Sequence, residues 1–328
     1  MKKIYLILIL FINLIFISSC KLYEDDVEAY EHTFWSMSTM ISVRFYDEEK
    51  HEKYYKEMQQ IFEDIASKTS DYNGFIYTLN NERKVKYDET LLDILEYADY
   101  CMNFTEGYFN PYMGKLTHLW KEYLNNTNDT DNNAKAPDEA TINELLSKAN
   151  NTSFRNDNNY IYLVGDGDID LGGIAKGYAL EKCKEYLKEE GCKYYLINAG
   201  QSSISYTSKK DKDIRAGLYF GDTNYGYVKA KNIDISTSSP EYQYKYDGET
   251  NRKYHHIISP KDGYPKNYYE SVNVFNDNAA LGDVLSTALF SMDLDTLKSF
   301  TKANDIKCVC YNKEILYKSE GCDFIHES

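Results

Sequence analysis

Residues 170–177 read Asp170-Leu-Gly-Gly-Ile-Ala-Lys-Gly177. The paired glycines make a tight turn. That turn leads into a helix over Gly177 to Glu190, which stops at Gly191, a residue suited to the left-handed position after a helix. A strand over Tyr160 to Val164 runs in and another over Tyr194 to Asn198 runs out. Repeated along the chain, such a passage would build a parallel α/β sheet. Outward from it, however, strands and helices mix without a βαβ rhythm, and neither an internal repeat nor a clear linker is present. The sequence therefore predicts an α+β fold, one compact domain of mixed sheets flanked by helices over residues 32–328.

Upstream, Met40 to Tyr46 alternates apolar and polar residues and reads as a strand. Residues 48–68 carry Tyr54, Met58, Ile61, Phe62 and Ile65 at helical spacing, which predicts a core-facing helix. Further helices are expected over Glu89 to Phe104 and Ala140 to Ala149, with a polar, low-complexity surface loop over 125–138 between them. Downstream, helices are expected over Leu281 to Met292 and Asp295 to Ala303. A hairpin of 306–311 and 314–317 turns at Asn312-Lys313.

The N-terminus reads as an address. Lys2 and Lys3 precede an apolar run from Ile4 to Ile17 broken only by Asn13, and Ser18-Ser19-Cys20 follows. Residues 1–19 are too short to span a bilayer and have the pattern of a signal peptide. A cysteine directly after Ser-Ser resembles a bacterial lipobox, with Ile17 where leucine is usual. The expectation is an exported lipoprotein anchored through a lipidated Cys20. It would face the periplasm or the extracellular side, with 20–31 as an acidic tether. The net charge of -15 gives no electrostatic reason to bind nucleic acid. Six further cysteines (Cys101, Cys183, Cys192, Cys308, Cys310 and Cys322) include no CxxC pair, which argues against a zinc finger. Strand alternation puts 308 and 310 on one face. They read as small buried hydrophobes, with a 183–192 or a C-terminal disulfide left open by the expected location.

Asp166, Asp168 and Asp170 alternate like a calcium loop, but Leu171 stands where the turn glycine belongs and Gly177 where the bidentate Glu would be. A Walker loop needs Gly-Lys-Ser/Thr, and the order here is Ala-Lys-Gly. What remains is Gly172, Gly173 and Lys176 at a helix N-terminus, whose N–H groups and dipole suit phosphate. A plain turn with Lys176 in solvent is the other reading. Asp283 and Thr287 lie four apart on one helix face. They are either oxygen ligands for Mg²⁺ or a polar stripe on a helix whose Ala288, Leu289 and Phe290 enter the core. His256 precedes a Pro260 and Gly263 turn and is either a base near neutral pH or a satisfied surface histidine. Met37-Ser-Thr39 and Thr237-Ser-Ser239 are, alone, turns or strand edges. The chain has no GxSxG, HExxH or GxGxxG.

Taken in order, these segments resemble the ApbE family, the FAD:protein FMN transferases. Met37-Ser-Thr39 resembles its Met-Gly-Thr, Leu79-Asn80 its Leu-Asn, and Thr105-Glu-Gly-Tyr-Phe-Asn-Pro111 with Leu119-Trp120 its T-x-G-x-F-D-P and L-W. Asp170–Gly177 matches D-L-G-G-I-A-K-G in full, and Asn198-Ala-Gly200 resembles N-x-G-G. Thr237-Ser238, His256 to Pro265, and Asp283 to Leu289 resemble T-S-G, H-I-x-D-P-x-T-G-x-P and D-A-L-A-T-A-L. The resemblance covers nearly the whole chain after Cys20.

The resemblance implies the T-fold-like architecture of the family. It also implies that FAD lies across the 170s turn with Mg²⁺ held by Asp283, Thr287 and the main-chain carbonyl of Ala175. Met37 and Thr39 would line the flavin side, Thr237 and Ser238 would sit in the binding site, and Asn110 and Glu181 fall where the family places acidic residues near the adenosine. His256 would be the base. A Ser or Thr hydroxyl of a partner flavoprotein, such as a redox-pump subunit with a short flavinylation motif, would take FMN and release AMP. Departures are Ser38, Ser239 and Gln201-Ser202 at family glycines and an acid, Asn110 and Ser259 at family aspartates, and Thr69 at an expected flavin-stacking aromatic, for which Tyr72 is the nearby substitute. They keep two alternatives open: FAD hydrolysis to FMN and AMP, and flavin binding without catalysis.

Overall fold

Alternate burial along Thr39–Tyr46 makes it a strand with one face in the core, as its sequence pattern requires. The structure is a computed structural model that describes residues 20–23, 29–46, 49–125, 136–208, 213–241, 243–248 and 250–327. The signal peptide expected over 1–19 and most of the polar loop over 125–138 lie outside the described residues. In chain order, β1 (Cys20–Tyr23), β2 (Ala29–Ser36) and β3 (Thr39–Tyr46) precede α1 (His51–Thr69), α2 (Phe75–Glu82) and β4 (Lys84–Lys86). Next come α3 (Glu89–Phe104), α4 (Gly114–Asn125), α5 (Glu139–Asn150), β5 (Ser153–Asn156), β6 (Tyr160–Val164) and α6 (Ala175–Glu189). A run of strands follows: β7 (Tyr195–Ala199), β8 (Ser203–Thr207), β9 (Ile214–Phe220), β10 (Thr223–Ala230), β11 (Asn232–Ser238), β12 (Tyr244–Tyr246), β13 (Lys253–His255) and β14 (Ser271–Phe275). Helices α7 (Ala279–Phe290) and α8 (Leu294–Ala303) and strands β15 (Lys307–Asn312), β16 (Glu314–Lys318) and β17 (Phe324–His326) close the chain.

The main sheet has eight strands in the order β16-β15-β14-β11-β8-β7-β3-β2, antiparallel at every pairing. Helices α6 and α7 pack together on one face, with α7 across β11 and β14 and α1 against α6 and β2. A four-stranded sheet, β1-β9-β10-β17, shares a second core with the main sheet. Strand β15 shows the division: Cys308 and Cys310 face the helical core while Val309 and Tyr311 face the other. The sheet is thus covered on both sides, which explains why all five residues of β14 are buried.

The α+β class and the single layered body agree with the sequence reading. Several details differ. Residues 20–23, expected in a tether, pair with β9, and 29–31 open β2, because Ala29 to Glu31 extend a ladder on β3. Helix α7 starts two residues early because Asn278 accepts from the Leu281 N–H and caps it. Neither disulfide forms: Cys183, Cys308, Cys310 and Cys322 are buried thiols.

Candidate active site

The β2–β3 turn consists of Met37 and Ser38, with φ of +48° and +59°, and Ser36 pairs with Thr39 across it. Two central residues in the left-handed region are the signature of a tight hairpin turn that follows strand twist. The β7–β8 turn leans on it. Gly200 has φ +66°, gives its N–H to the Met40 carbonyl at 3.2 Å, and would bring a Cβ to 2.6 Å from Thr39 Oγ1. The adjoining Gln201 also has φ +66°.

Opposite lies the 170s turn. Asp170 Oδ1 accepts the Gly172 N–H at 2.8 Å, and Oδ2 accepts the Thr117 hydroxyl at 2.6 Å and pairs with Lys121 at 3.3 Å. Burial pushes the Asp170 carboxyl up, but Lys121, Thr117 and the Gly172 amide outweigh it and leave its pKa below the usual value. Burial works against the charge on Lys121, and Asp170 and Asp71 more than restore it. Asp71 also holds His118 at 2.8 Å, which raises the histidine's pKa.

Helix α6 then begins, and Gly177 gives its N–H to Asp283 Oδ2 at 2.9 Å. A Cβ on Gly177 would sit 2.4 Å from the Ala279 carbonyl and 2.6 Å from Asp283 Cβ, so glycine is what lets α7 approach. Asp283 Oδ1 accepts the Ser203 hydroxyl at 3.1 Å. One turn along α7, the Thr287 hydroxyl donates to the Asp283 carbonyl at 3.2 Å and lies 3.4 Å from Ser238 Oγ. Thr237 donates to Asn273 Oδ1 at 2.9 Å. The Gly172 amide, expected to face a phosphate, and the Gly177 amide in the first turn of α6 are thus taken by carboxylates of the fold itself.

The main-chain N–H of His256 donates to the Gln243 carbonyl at 3.2 Å, and the ring Nδ1 lies 3.4 Å from the same oxygen. A carbonyl only accepts, so this contact assigns the proton to Nδ1 and leaves the Nε2 lone pair open. Burial, helped by Lys176 and Lys121, lowers the pKa to about 4 against the pull of the Gln243 carbonyl. The ring is neutral at physiological pH, the form a base needs.

These walls enclose an open cavity of about 540 Å³, large enough for a cofactor-sized ligand. Of the residues singled out in the sequence, Met37, Thr39, Asn110, Gly172, Gly173, Lys176, Thr237, Ser238, His256, Asp283 and Thr287 line it. Lys176 has no ion-pair partner among the described residues. Ala175 is buried at the start of α6, two residues before the amide that binds Asp283, and is not in the lining.

Glu181 is not brought to the cavity. Five residues past Lys176, about 7.5 Å along the helix, it accepts the Ala279 N–H at 2.7 Å and pairs with Lys184 at 2.9 Å. There it meets the positive end of α7. Nor do Thr69 and Tyr72 reach the lining. Thr69 bonds back to the Ile65 carbonyl and Tyr72 is 72% exposed, while Tyr108 and Phe109 supply the aromatic surface. Lys121, Thr117 and Gln243 went unread. The available signal was Leu119-Trp120: Trp120 locks α4 by donating to the Gly263 carbonyl at 2.8 Å, and Thr117 and Lys121 share another face of that helix.

The donor set fits a hard cation. Each Asp283 oxygen accepts one hydrogen bond and keeps a second lone pair, and Thr287 adds a hydroxyl oxygen. One carboxylate and one hydroxyl suit Mg²⁺, which keeps waters and substrate phosphates as its other ligands.

The fold and cavity define a class: an antiparallel α+β protein whose polar cleft, between helices and sheet turns, offers two lysines, a row of hydroxyls and a buried carboxylate. The chain belongs to the ApbE family, whose model matches residues 37–310. The FAD:protein FMN transferase of Chlamydia muridarum is 28% identical over 247 residues, 71% of this chain and 74% of that protein. That of Treponema pallidum is 25% identical over 300 residues, 80% and 79% of the two. Among solved structures, the ApbE protein of Thermotoga maritima superposes with a TM-score of 0.78 at 23% identity, covering 89% of this chain and 97% of its own. The flavin transferase ApbE of Vibrio cholerae gives 0.71 at 18%, covering 92% and 97%. These two likenesses are of fold.

Proposed function

We propose that this protein transfers FMN from FAD to a Ser or Thr hydroxyl of an acceptor flavoprotein and releases AMP, with Mg²⁺ at Asp283 and Thr287. The observation that carries the reading is a neutral histidine in the same cavity as two lysines and a buried carboxylate. The curated relatives are FAD:protein FMN transferases.

The acceptor oxygen bonds to the FMN-side phosphorus as the bond from that phosphorus to the AMP oxygen breaks. The hydroxyl proton passes to His256 Nε2, whose orientation the Gln243 carbonyl fixes. Lys176 and Lys121 offset the diphosphate charge, and Asp170 holds Lys121 in place. Mg²⁺, when bound, withdraws charge from the diphosphate and stabilises the leaving phosphate. The acceptor is an exported or membrane flavoprotein, such as a redox-pump subunit. The protein itself is an exported lipoprotein anchored at Cys20, a reading supported by the sequence of residues 1–20.

Purified protein, FAD, Mg²⁺ and an acceptor domain bearing the short Ser/Thr motif test the reaction by intact mass of the acceptor. An FMN-sized gain that His256→Ala and Asp283→Ala abolish is expected. FAD split to FMN and AMP with no gain would make the protein a hydrolase, and FAD bound intact would make it a binding protein. For the anchor, Cys20→Ala should release the protein from membranes, and unchanged membrane association would refute it.

A further inference from the structure

Away from the cavity, His32 on β2 meets His51 and Glu52 at the start of α1. His32 Nε2 lies 2.9 Å from His51 Nδ1, and one ligand atom from each of the three side chains lies within 4.8 Å of the others. Two imidazole nitrogens this close share either a proton or a metal ion. Tetrahedral zinc at the usual Zn–N distance holds two nitrogens about 3.3 Å apart, so capture needs a shift of only a few tenths of an ångström. The rings are braced for this. Tyr30 stacks on His51 with centroids 3.8 Å apart at 4°, and Tyr55 stacks on His32 at 4.5 Å and 17°. Both histidines are half-buried and Glu52 is exposed, which leaves an entry path and room for a water ligand.

We propose that His32, His51 and Glu52 form a second metal site, for a Zn²⁺-class ion, that clamps the edge strand β2 to α1. Two imidazoles and one carboxylate favour zinc or a neighbouring late transition metal over Mg²⁺. None of the three lines the cavity. Yet β2 continues from His32 to the Met37–Thr39 turn at its rim, about 14 Å along the strand. The site would fix a wall support without taking part in the chemistry.

The test is zinc titration of untagged, metal-free protein with Mg²⁺ in excess, followed by calorimetry and melting, with Co²⁺ absorption as a report on ligand geometry. One equivalent of zinc should bind and raise the melting temperature. His51→Ala should abolish both effects, and the exposed Glu52→Gln, which leaves the ring stack in place, should weaken binding at least about tenfold. FMN transfer with Mg²⁺ should be unchanged in both variants. No zinc-dependent rise, or an equal rise in both variants, would overturn the site.

Discussion

The helix side and the sheet side of the cavity are built on opposite terms. On the helix side the closest approach falls on Gly177, and both Asp283 oxygens meet donors from the fold. On the sheet side, Ser38 and Gln201 occupy positive-φ positions, at φ +59° and +66°, where the family resemblance read from the sequence implies glycine. Each such residue costs on the order of 1–2 kcal/mol. The turns survive because their flanking ladders are already set, Ser36 on Thr39 and Ala199 on Ser203. One wall therefore leaves little room for substitution, while the other keeps its shape under strain. A residue other than glycine at a turn does not by itself remove the turn.

The contrast is easiest to break at Asp283. Asp283→Ala leaves the buried Gly177 N–H and Ser203 hydroxyl without their acceptor and removes the proposed metal ligand. Transfer should fall on the order of a thousandfold, and stability by about 1–3 kcal/mol. A variant that melts like the parent would show that the helix wall is not held this way.

His256→Gln should lower transfer about a hundredfold, and it also bears on pH. His256 titrates at about 4 in the folded protein against 6.5 ordinarily, and His255, buried behind it, at about 3. The unfolded chain therefore binds more protons on these rings as pH falls below about 6.5, and stability drops down to about 4 for His256 and about 3 for His255. His256→Gln should make the drop shallower. An equal acid slope in the two proteins would contradict the lowered pKa.

Lys121→Met strips Asp170 and Asp71 of their shared cation, and FAD affinity should weaken about tenfold. The His256 ring should titrate higher in this variant, a direction that imidazole NMR can read. The smallest effect is expected on the sheet side. Ser38→Gly should stabilise by about 0.5–1 kcal/mol, because the relief of strain is partly offset by the entropy of the unfolded glycine. Activity should change less than twofold. Gln201→Gly, at φ +66°, should act in the same direction and keep the main-chain N–H bond to Asn198 Oδ1. Destabilisation by Ser38→Gly would mean that the turn is not strained.

Much of this cleft was legible because its signals are local. The Asp170–Gly177 run forces a turn, Asp283 and Thr287 share a helix face by spacing alone, and His256 stands just ahead of Ile257-Ile258 and the Pro260 turn. The residues missed depend on what stands opposite them. Lys121 matters through Asp170, 49 residues away, and Gln243 through one carbonyl. Glu181 was misplaced because its match gave a position in the chain but not the side of α6 it occupies. The short outer strands of the four-stranded sheet, β1 and β17, were equally hidden, since their partners β9 and β10 lie far along the chain.

The buried cysteines bear on where such a fold can form. Burial raises the pKa of Cys101 and Cys322 to about 12 and that of Cys183 and Cys310 well above the ordinary thiol value. Only the thiolate attacks disulfides or oxidants, and at neutral pH a thiol of pKa 12 is ionised in about one molecule in 10⁵. These sulfurs act as packing atoms, inert toward redox exchange. The stability of the folded protein should therefore be the same with and without oxygen.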